Sequence, residues 1–176
     1  MTAVQDLTDR LRRVRLFLCD VDGVLTEAQV SMGGAAETKA FHIRDGLGLR
    51  LLQSEGIRVG WISARPSDAT RLRADDLKVD FLHQSSVPKV AAIEEILGQT
   101  GLSWAEVVYM GDDVVDLGAL KRAGVAAVPS DAIHEAQLLA HYVCRHAGGR
   151  GAVREVVDLV LKAQGRWEAM IARHTG

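Results

Sequence analysis

Six short apolar segments, separated by stretches with helical periodicity, constrain the fold of this 176-residue chain more than any other feature. The predicted strands are 14–19, 57–62, 79–82, 106–110, 124–128 and 141–144, and the predicted helices are 45–55, 67–76, 87–99, 114–123, 131–138 and 151–171. Strands that alternate with helices predict parallel pairing, because the connection between parallel strands usually contains a helix. We therefore expect an α/β, Rossmann-like parallel sheet with helices on both faces.

The segment between residues 27 and 42 interrupts this alternation. It contains two short strand-like stretches around Gly33-Gly34, and Val30 and Met32 are spaced two residues apart. This pattern predicts a β-hairpin flap over residues 27–42, which is too short to be a cap domain. Because 48% hydrophobic content in 176 residues is enough for one sizeable core, we expect a single domain over residues 1–176.

Charge and composition exclude several classes of function. The formal net charge is −2 and the Lys and Arg residues are dispersed, so we expect no nucleic-acid partner. No run of eighteen apolar residues occurs, and segment 2–13 is too charged for a signal peptide, which predicts a soluble, cytoplasmic protein with no membrane partner. Two cysteines, Cys19 and Cys144, support neither a disulfide framework nor a four-ligand zinc site.

Asp20 and Asp22 directly follow the predicted strand 14–19. Residues two apart in an extended chain point to the same side, so the two carboxylates face one site and repel each other unless a cation or proton intervenes. Mg²⁺ prefers oxygen ligands of this kind, and an Asp carboxylate can attack phosphorus to form an aspartyl-phosphate. Taken alone, Asp-x-Asp-Gly is as typical of a turn or a calcium-binding loop as of such a magnesium site.

Three further segments favour phosphoryl transfer. Ser63 follows strand 57–62, at an edge where open parallel sheets bind ligands, and its hydroxyl suits a phosphate oxygen. Lys89 supplies a compact positive charge for a phosphoryl group. Asp112 follows strand 106–110, with Asp113 beside it and Asp116 one helical turn later, although Asp residues in a first turn commonly only cap a helix.

In this order, the segments resemble the haloacid dehalogenase superfamily of phosphotransferases. Three blocks, 22–26, 39–46 and 147–155, are similar to the 3-deoxy-D-manno-octulosonate 8-phosphate phosphatases. One departure is Ser63-Ala64-Arg65, where that superfamily usually has Thr-Gly-Arg. Serine retains the hydroxyl, and Ala64 retains a backbone N–H that can bind a phosphate oxygen.

The resemblance implies a role for each catalytic residue. Asp20 would be the nucleophile and a metal ligand, and Asp22 would be the general acid and base, with its backbone carbonyl on the metal. Asp112 would complete the protein ligands of Mg²⁺, and Ser63 and Lys89 would hold the phosphoryl oxygens. Asp113 and Asp116 would orient metal-bound waters or Lys89, and direct ligation by either of these two stays open.

A sugar acid carries a carboxylate far from its phosphate, and arginine can bind a carboxylate through two parallel hydrogen bonds. Arg150, between three glycines, is the first candidate for that contact, followed by Arg44, Lys39 and Arg65. The resemblance also implies a capless enzyme that closes its site by packing as a homotetramer. Residues 166–176 would then form a tail that reaches a neighbouring subunit's site.

The function predicted on this basis is that of a magnesium-dependent phosphomonoester hydrolase acting on 3-deoxy-D-manno-octulosonate 8-phosphate, whose product the resembled family feeds into lipopolysaccharide biosynthesis. One alternative is a phosphatase for a nine-carbon sialic-type acid 9-phosphate. Another is a non-catalytic assembly module of the same fold. A lost catalytic carboxylate would mark the second alternative, yet Asp20, Asp22 and Asp112 are all present.

Overall fold

The computed structural model describes residues 3–31 and 37–175. Its centre is a parallel sheet of six strands in the order β3-β2-β1-β4-β5-β6. The strands are β1 Leu16–Cys19, β2 Arg58–Ser63, β3 Phe81–Gln84, β4 Val107–Met110, β5 Val125–Val128 and β6 Tyr142–Val143. The predicted parallel sheet is therefore confirmed, with strand boundaries that shift by a few residues.

The central strand β1 explains where the polar residues of the motifs meet. Its four residues are apolar and buried, and it pairs with β2 and β4 in a register that sets Cys19 opposite Trp61 and Met110. Because these three strands run in the same direction, their carboxyl ends lie at one edge of the sheet. Asp20 leaves β1 at that edge, and Asp112 follows β4 there.

Helices cover both faces of the sheet, as predicted. They are α1 Ala3–Arg12, α2 Ile43–Ser54, α3 Asp68–Leu77, α4 Lys89–Thr100, α5 Leu117–Leu120, α6 His134–Leu139, α7 Ala152–Ala163 and α8 Trp167–Thr175. One buried cluster joins the sheet to α2 and α7, through residues such as Leu52 and Val156. A second cluster on the opposite face joins the sheet to α4 and α5, through Ile93 and Leu120. The sheet is thus buried on both sides, as an all-parallel sheet requires.

Two predicted helices were wrong in their extent. The predicted helix 114–123 begins as a 3₁₀ turn over Val114–Asp116 and then forms only the short α5. The predicted helix 151–171 is divided into α7 and α8 at Gly165, whose φ of +68° is incompatible with a continuous right-handed helix. Helix α8 packs on its own chain, with Met170 buried against the core that α7 faces.

The flap is described only at its two ends. Ser31 and Thr38 form an isolated antiparallel bridge, which agrees with the predicted hairpin. Met32 and Gly33-Gly34 lie outside the described residues, so a hairpin over the whole of 27–42 stays a prediction. Across the described ranges, no helix is both long and apolar enough to span a lipid bilayer.

Candidate active site

Three segments of the chain meet at the carboxyl edge of the sheet. Lys89, the first residue of α4, places its Nζ 2.7 Å from a carboxylate oxygen of Asp20 and 2.7 Å from one of Asp116. The Lys89 side chain is only 3% exposed, and Asp116 is fully buried. A buried ammonium and its two carboxylates thus form the base of a site whose third carboxylate is Asp112.

Asp116 is the most heavily bonded carboxylate of the group. It accepts hydrogen bonds from Lys89, from the Tyr109 hydroxyl and from the backbone N–H groups of Asp112 and Asp113. These four donors account for both of its oxygens. Asp116 therefore orients Lys89 and the loop that carries Asp112, while the Asp113 carboxylate turns away and accepts from the backbone N–H of Val114.

The backbone around Asp20 leaves space for Asp112. Gly23 has φ of +91°, and a Cβ built on it would lie 2.0 Å from a carboxylate oxygen of Asp112. Any other residue at position 23 would collide with that carboxylate and adopt a strained conformation. The glycine of the Asp-x-Asp-Gly motif is therefore needed for the approach of the β1 and β4 loops.

Burial and mutual repulsion perturb the acids of this group. Desolvation, together with the charge of Asp116, raises the pKa of Asp20 to about 6, although Lys89 opposes the shift. Desolvation and the charges of Asp116 and Asp20 raise the pKa of Asp112 to about 7. Burial by itself would lower the pKa of Lys89, but Asp20 and Asp116 raise it above its ordinary value. More negative charge is gathered here than one lysine neutralises.

A divalent cation fits this excess of negative charge. One ligand atom each of Asp20, Asp112 and Asp116 lies within 4.8 Å of the others. Among the described residues, the buried Oδ1 of Asp112 has no hydrogen-bond partner. Asp116 accepts four hydrogen bonds, whereas each oxygen of Asp20 has one donor and Oδ1 of Asp112 has none in the described part of the chain. Asp20 and Asp112 therefore keep the capacity to bind a hard ion such as Mg²⁺.

The Asp22 side chain lies apart from these clustered carboxylates. Its two oxygens are 2.7 and 2.9 Å from the Nζ of Lys39, which lies in the C-terminal part of the flap. Lys39, predicted as a substrate contact, thus faces the predicted general acid and base. Glu37, which sequence reasoning missed, lies 3.8 Å from the same Nζ. Its position two residues before Lys39, on the same side of an extended segment, was the available signal.

The end of β2 and the loop that follows it form another part of the candidate site. Ser63 is 3% exposed, and its hydroxyl both donates to the carbonyl oxygen of Arg65 at 3.0 Å and accepts from the Arg65 N–H at 3.1 Å. Ala64 is exposed, with a negative φ, so this turn does not require glycine. The Arg65 guanidinium binds Glu37 at 2.6 Å, which links this loop to the flap.

Arg150 and Arg44, two predicted substrate contacts, line a cavity apart from the clustered aspartates. Arg150 pairs with Glu27 at 2.9 Å, and Arg44 is exposed at the start of α2. Both line a cavity of about 240 Å³ whose wall is rich in cationic side chains. The cations that line it are Arg44, Arg145, Arg150, Arg154 and Lys162. The clustered aspartates are not part of this wall.

Tyr109 is a second residue that sequence reasoning missed. It lies within the apolar strand β4, is fully buried, and its hydroxyl donates to Asp116 at 2.5 Å. Burial raises its pKa well above the ordinary value, and the neighbouring Asp116 acts in the same direction. A tyrosine in a buried strand usually needs a hydrogen-bond partner, and this was the only signal in the sequence.

A Rossmann-like sheet that gathers Asp20, Lys89 and Asp112 at its carboxyl edge defines a hydrolase of the haloacid dehalogenase superfamily. No family model matches the chain. It is 39% identical over 164 residues to the 3-deoxy-D-manno-octulosonate 8-phosphate phosphatase of Yersinia pestis, covering 93% of this chain and 88% of that protein. The chain therefore belongs to the family of 3-deoxy-D-manno-octulosonate 8-phosphate phosphatases.

Two solved structures of such phosphatases are closely similar to this fold. The enzyme from Moraxella catarrhalis, in complex with a magnesium ion, a phosphate ion and 3-deoxy-D-manno-octulosonate (KDO), superimposes with a TM-score of 0.94 at 33% identity, over 97% of this chain and 98% of that one. The cobalt-bound enzyme from Haemophilus influenzae superimposes with a TM-score of 0.85 at 35% identity, over 89% of this chain and 92% of that one. One of these neighbours holds a magnesium ion and the other holds cobalt.

Proposed function

We propose that this protein hydrolyses 3-deoxy-D-manno-octulosonate 8-phosphate to 3-deoxy-D-manno-octulosonate and phosphate, in a reaction that requires Mg²⁺. The observation that carries the proposal is the contact of Lys89 with Asp20, beside the unpartnered carboxylate oxygen of Asp112. This arrangement suits phosphoryl transfer to a carboxylate, and relatives across nearly the whole chain bear the name of this phosphatase.

In this mechanism, an oxygen of Asp20 attacks phosphorus and the bond from phosphorus to the sugar oxygen breaks, which leaves an aspartyl-phosphate. Asp22, which enters this step as the protonated acid, would give its proton to the leaving sugar oxygen. It then takes a proton from the water that attacks phosphorus, and Asp20 is released with free phosphate. Lys89, the hydroxyl of Ser63 and the N–H of Ala64 would bind the phosphoryl oxygens as negative charge develops there.

Asp20, Asp112 and the backbone carbonyl of Asp22 would hold the magnesium ion. When bound, the ion supplies positive charge for the phosphate oxygens and for the crowded carboxylates. The raised pKa values of Asp20 and Asp112, together with the unsatisfied oxygen of Asp112, support this ligand set. Asp116 would orient Lys89 and the Asp112 loop, since its oxygens already accept four hydrogen bonds.

We propose Arg150, Arg44 and Arg65 as contacts for the rest of the substrate. Arg150 and Arg44 line one cavity in which cationic side chains outnumber the carboxylates of Glu155 and Asp158, which suits a bound carboxylate. Arg65 lies beside Ser63 and is held by Glu37, so it would contact the substrate near the phosphate. Alanine at position 150 or 44 should raise KM for the sugar acid phosphate without a matching loss of kcat.

The assembly and location of the protein belong to the same proposal. We infer a single catalytic domain over residues 1–176 that packs as a homotetramer and works in the cytoplasm, where the buried free thiols of Cys19 and Cys144 stay reduced. Helix α8 packs against its own chain, where Met170 is buried and Arg173 pairs with Glu55. This packing limits how far the predicted tail at 166–176 could reach toward a neighbouring subunit. Sedimentation would measure the oligomer directly.

Phosphate release with and without Mg²⁺ tests the function. The panel contains 3-deoxy-D-manno-octulosonate 8-phosphate, a nine-carbon sialic-type acid 9-phosphate and simple sugar phosphates. A strong preference in kcat/KM for the first is the expected result. Preference for the nine-carbon acid would overturn the substrate assignment, and no release from folded, magnesium-bound protein would overturn the enzymatic assignment in favour of an assembly module.

A further inference from the structure

Lys39 makes the most unusual ion pair in the described part of the chain. Its ammonium contacts both carboxylate oxygens of Asp22, at 2.7 and 2.9 Å, and its side chain is fully buried. The Asp22 side chain keeps 26% of its surface exposed. The lysine is thus enclosed, and Oδ1 of Asp22 is buried as well, while the rest of the Asp22 side chain keeps some exposure.

Burial makes it unfavourable for Lys39 to leave Asp22 for another partner. An ammonium taken out of water needs a compensating charge, and a lysine that left Asp22 to reach a substrate would abandon a two-oxygen contact. Lys39 sits at a separation of seventeen residues from Asp22, so the contact is made by the fold and not by local chain geometry. The same contact restricts the rotamers that are open to the Asp22 carboxylate.

Glu37 stabilises this arrangement from the other side. One of its oxygens lies 3.8 Å from the Lys39 ammonium and accepts the Ser67 hydroxyl at 2.8 Å, and the other lies 2.6 Å from Arg65. Ser67 in turn caps the start of α3 by accepting from the backbone N–H of Thr70. Residues 37–39 therefore connect the acid and base Asp22 to the loop that would bind phosphate.

We infer that Lys39 is a positioning residue that holds the Asp22 carboxylate in the orientation in which it takes a proton from the attacking water, and not a contact for the sugar acid. This inference rests on the proposed function, because it assigns Lys39 a part in the same reaction. It also gives the C-terminal part of the flap a role in the chemistry, through Glu37 and Lys39. The two roles of Lys39, positioning and substrate contact, predict different kinetics.

The experiment compares two substrates in Lys39→Met and Lys39→Arg. One substrate is 3-deoxy-D-manno-octulosonate 8-phosphate, and the other is p-nitrophenyl phosphate, which has no carboxylate for Lys39 to bind. A positioning role predicts that Lys39→Met lowers kcat about tenfold or more on both substrates, with KM little changed, because both share the step in which Asp22 takes a proton from the attacking water. Lys39→Arg should restore part of that loss.

A double variant separates action through Asp22 from a general effect on the fold. Asp22→Asn combined with Lys39→Met should be no slower than Asp22→Asn alone, because the lysine would have nothing left to position. Arg71→Met, which removes the cation of an exposed ion pair with Asp68 and Asp75, is the matched control and should leave kcat unchanged. Circular dichroism and thermal melting of each variant establish that it is folded, and Lys39→Gln replaces Lys39→Met if the latter is not.

Other results would overturn the inference. A rise in KM for the sugar acid phosphate alone, with p-nitrophenyl phosphate unaffected, would make Lys39 a substrate contact. Additive losses in the double variant would mean that Lys39 does not act through Asp22. Failure of the proposed function looks different, because wild-type protein would then release little or no phosphate from 3-deoxy-D-manno-octulosonate 8-phosphate, whatever the Lys39 variants do.

Discussion

Two buried carboxylate groups in this molecule differ in how well their charge is satisfied. Near the sheet edge, burial and like charges raise the pKa of Asp20 to about 6 and that of Asp112 to about 7. Glu155 on α7 is also buried, and desolvation by itself would raise its pKa. Hydrogen bonds from Tyr142, His146 and Arg145 outweigh that effect and lower the pKa of Glu155 to about 2.

The difference lies in the number of donors that surround each carboxylate. Glu155 accepts from the Tyr142 hydroxyl and from His146 Nδ1, each at 2.6 Å, and from backbone N–H groups of Arg145 and His146. Asp112 has a buried oxygen with no described partner. A fully satisfied carboxylate ties β6 to α7, whereas an under-satisfied one is ready for a ligand.

The largest expected effect is that of Asp20→Asn. The amide cannot act as a nucleophile at phosphorus, so kcat should fall at least about 10⁴-fold while the fold is kept. Steady-state phosphate release and circular dichroism measure the two properties, and Asp75→Asn on the exposed face of α3 serves as control. Turnover above that level would remove Asp20 from its role as nucleophile.

Lys89→Met tests the charge balance of the sheet-edge group, which consists of Asp20, Lys89, Asp112 and Asp116. Loss of the ammonium leaves Asp20 and Asp116 buried without their cation, so the free energy of unfolding should fall by about 3–5 kcal/mol in the absence of magnesium. Urea denaturation measures this change. The exposed Lys121→Met is the control, and an equal loss in both variants would show that the buried pairings contribute nothing particular.

Glu155→Gln tests the carboxylate whose hydrogen bonds are fully satisfied. Because the folded pKa of Glu155 lies below its ordinary value, its stabilisation is fully present above about pH 5 and is lost as the pH falls toward 2. The variant should lose about 2–3 kcal/mol at pH 7, and its stability should depend less on pH between 5 and 2 than that of the wild type. Urea denaturation at several pH values measures both, and parallel pH profiles would contradict the prediction.

Magnesium should produce the smallest of these effects. At ten times its Kd, the ion should raise the free energy of unfolding by about 1.4 kcal/mol, since it binds the folded site alone. Asp112→Asn should lose most of that gain, whereas Glu155→Gln should keep it. Thermal melts with and without magnesium report the difference, and an undiminished gain in Asp112→Asn would place the ion elsewhere.

Much of the sheet-edge group was predictable because its signals are local. Asp20 directly follows β1, Ser63 is the last residue of β2 and Asp112 lies two residues after β4, and parallel strands bring such positions to one edge. The alternation of strand-like apolar segments with segments of helical periodicity predicted the parallel sheet and the helices on both of its faces. The division at Gly165 was missed, although a glycine near the end of a periodic segment commonly marks a C-terminus.

Other parts of the site carry no local signal. Asp116 reads as a helix cap, yet it is fully buried and accepts from Lys89, which is twenty-seven residues away. The sequence also offers no reason to pair Arg65 with Glu37, or Lys39 with Asp22. The first pair depends on how the flap approaches the loop after β2, and the second on how it approaches the loop after β1.

The sequence by itself determined the order of strands and helices, the carboxylates that follow the strands, and the chemistry that such carboxylates can perform. Periodicity and strand ends are properties of neighbouring residues, so they can be read along the chain. Only the tertiary structure decided which carboxylate is satisfied and which is left open to a cation. Ion pairs and desolvation depend on distances between segments far apart in sequence, and those distances exist only after the core has packed.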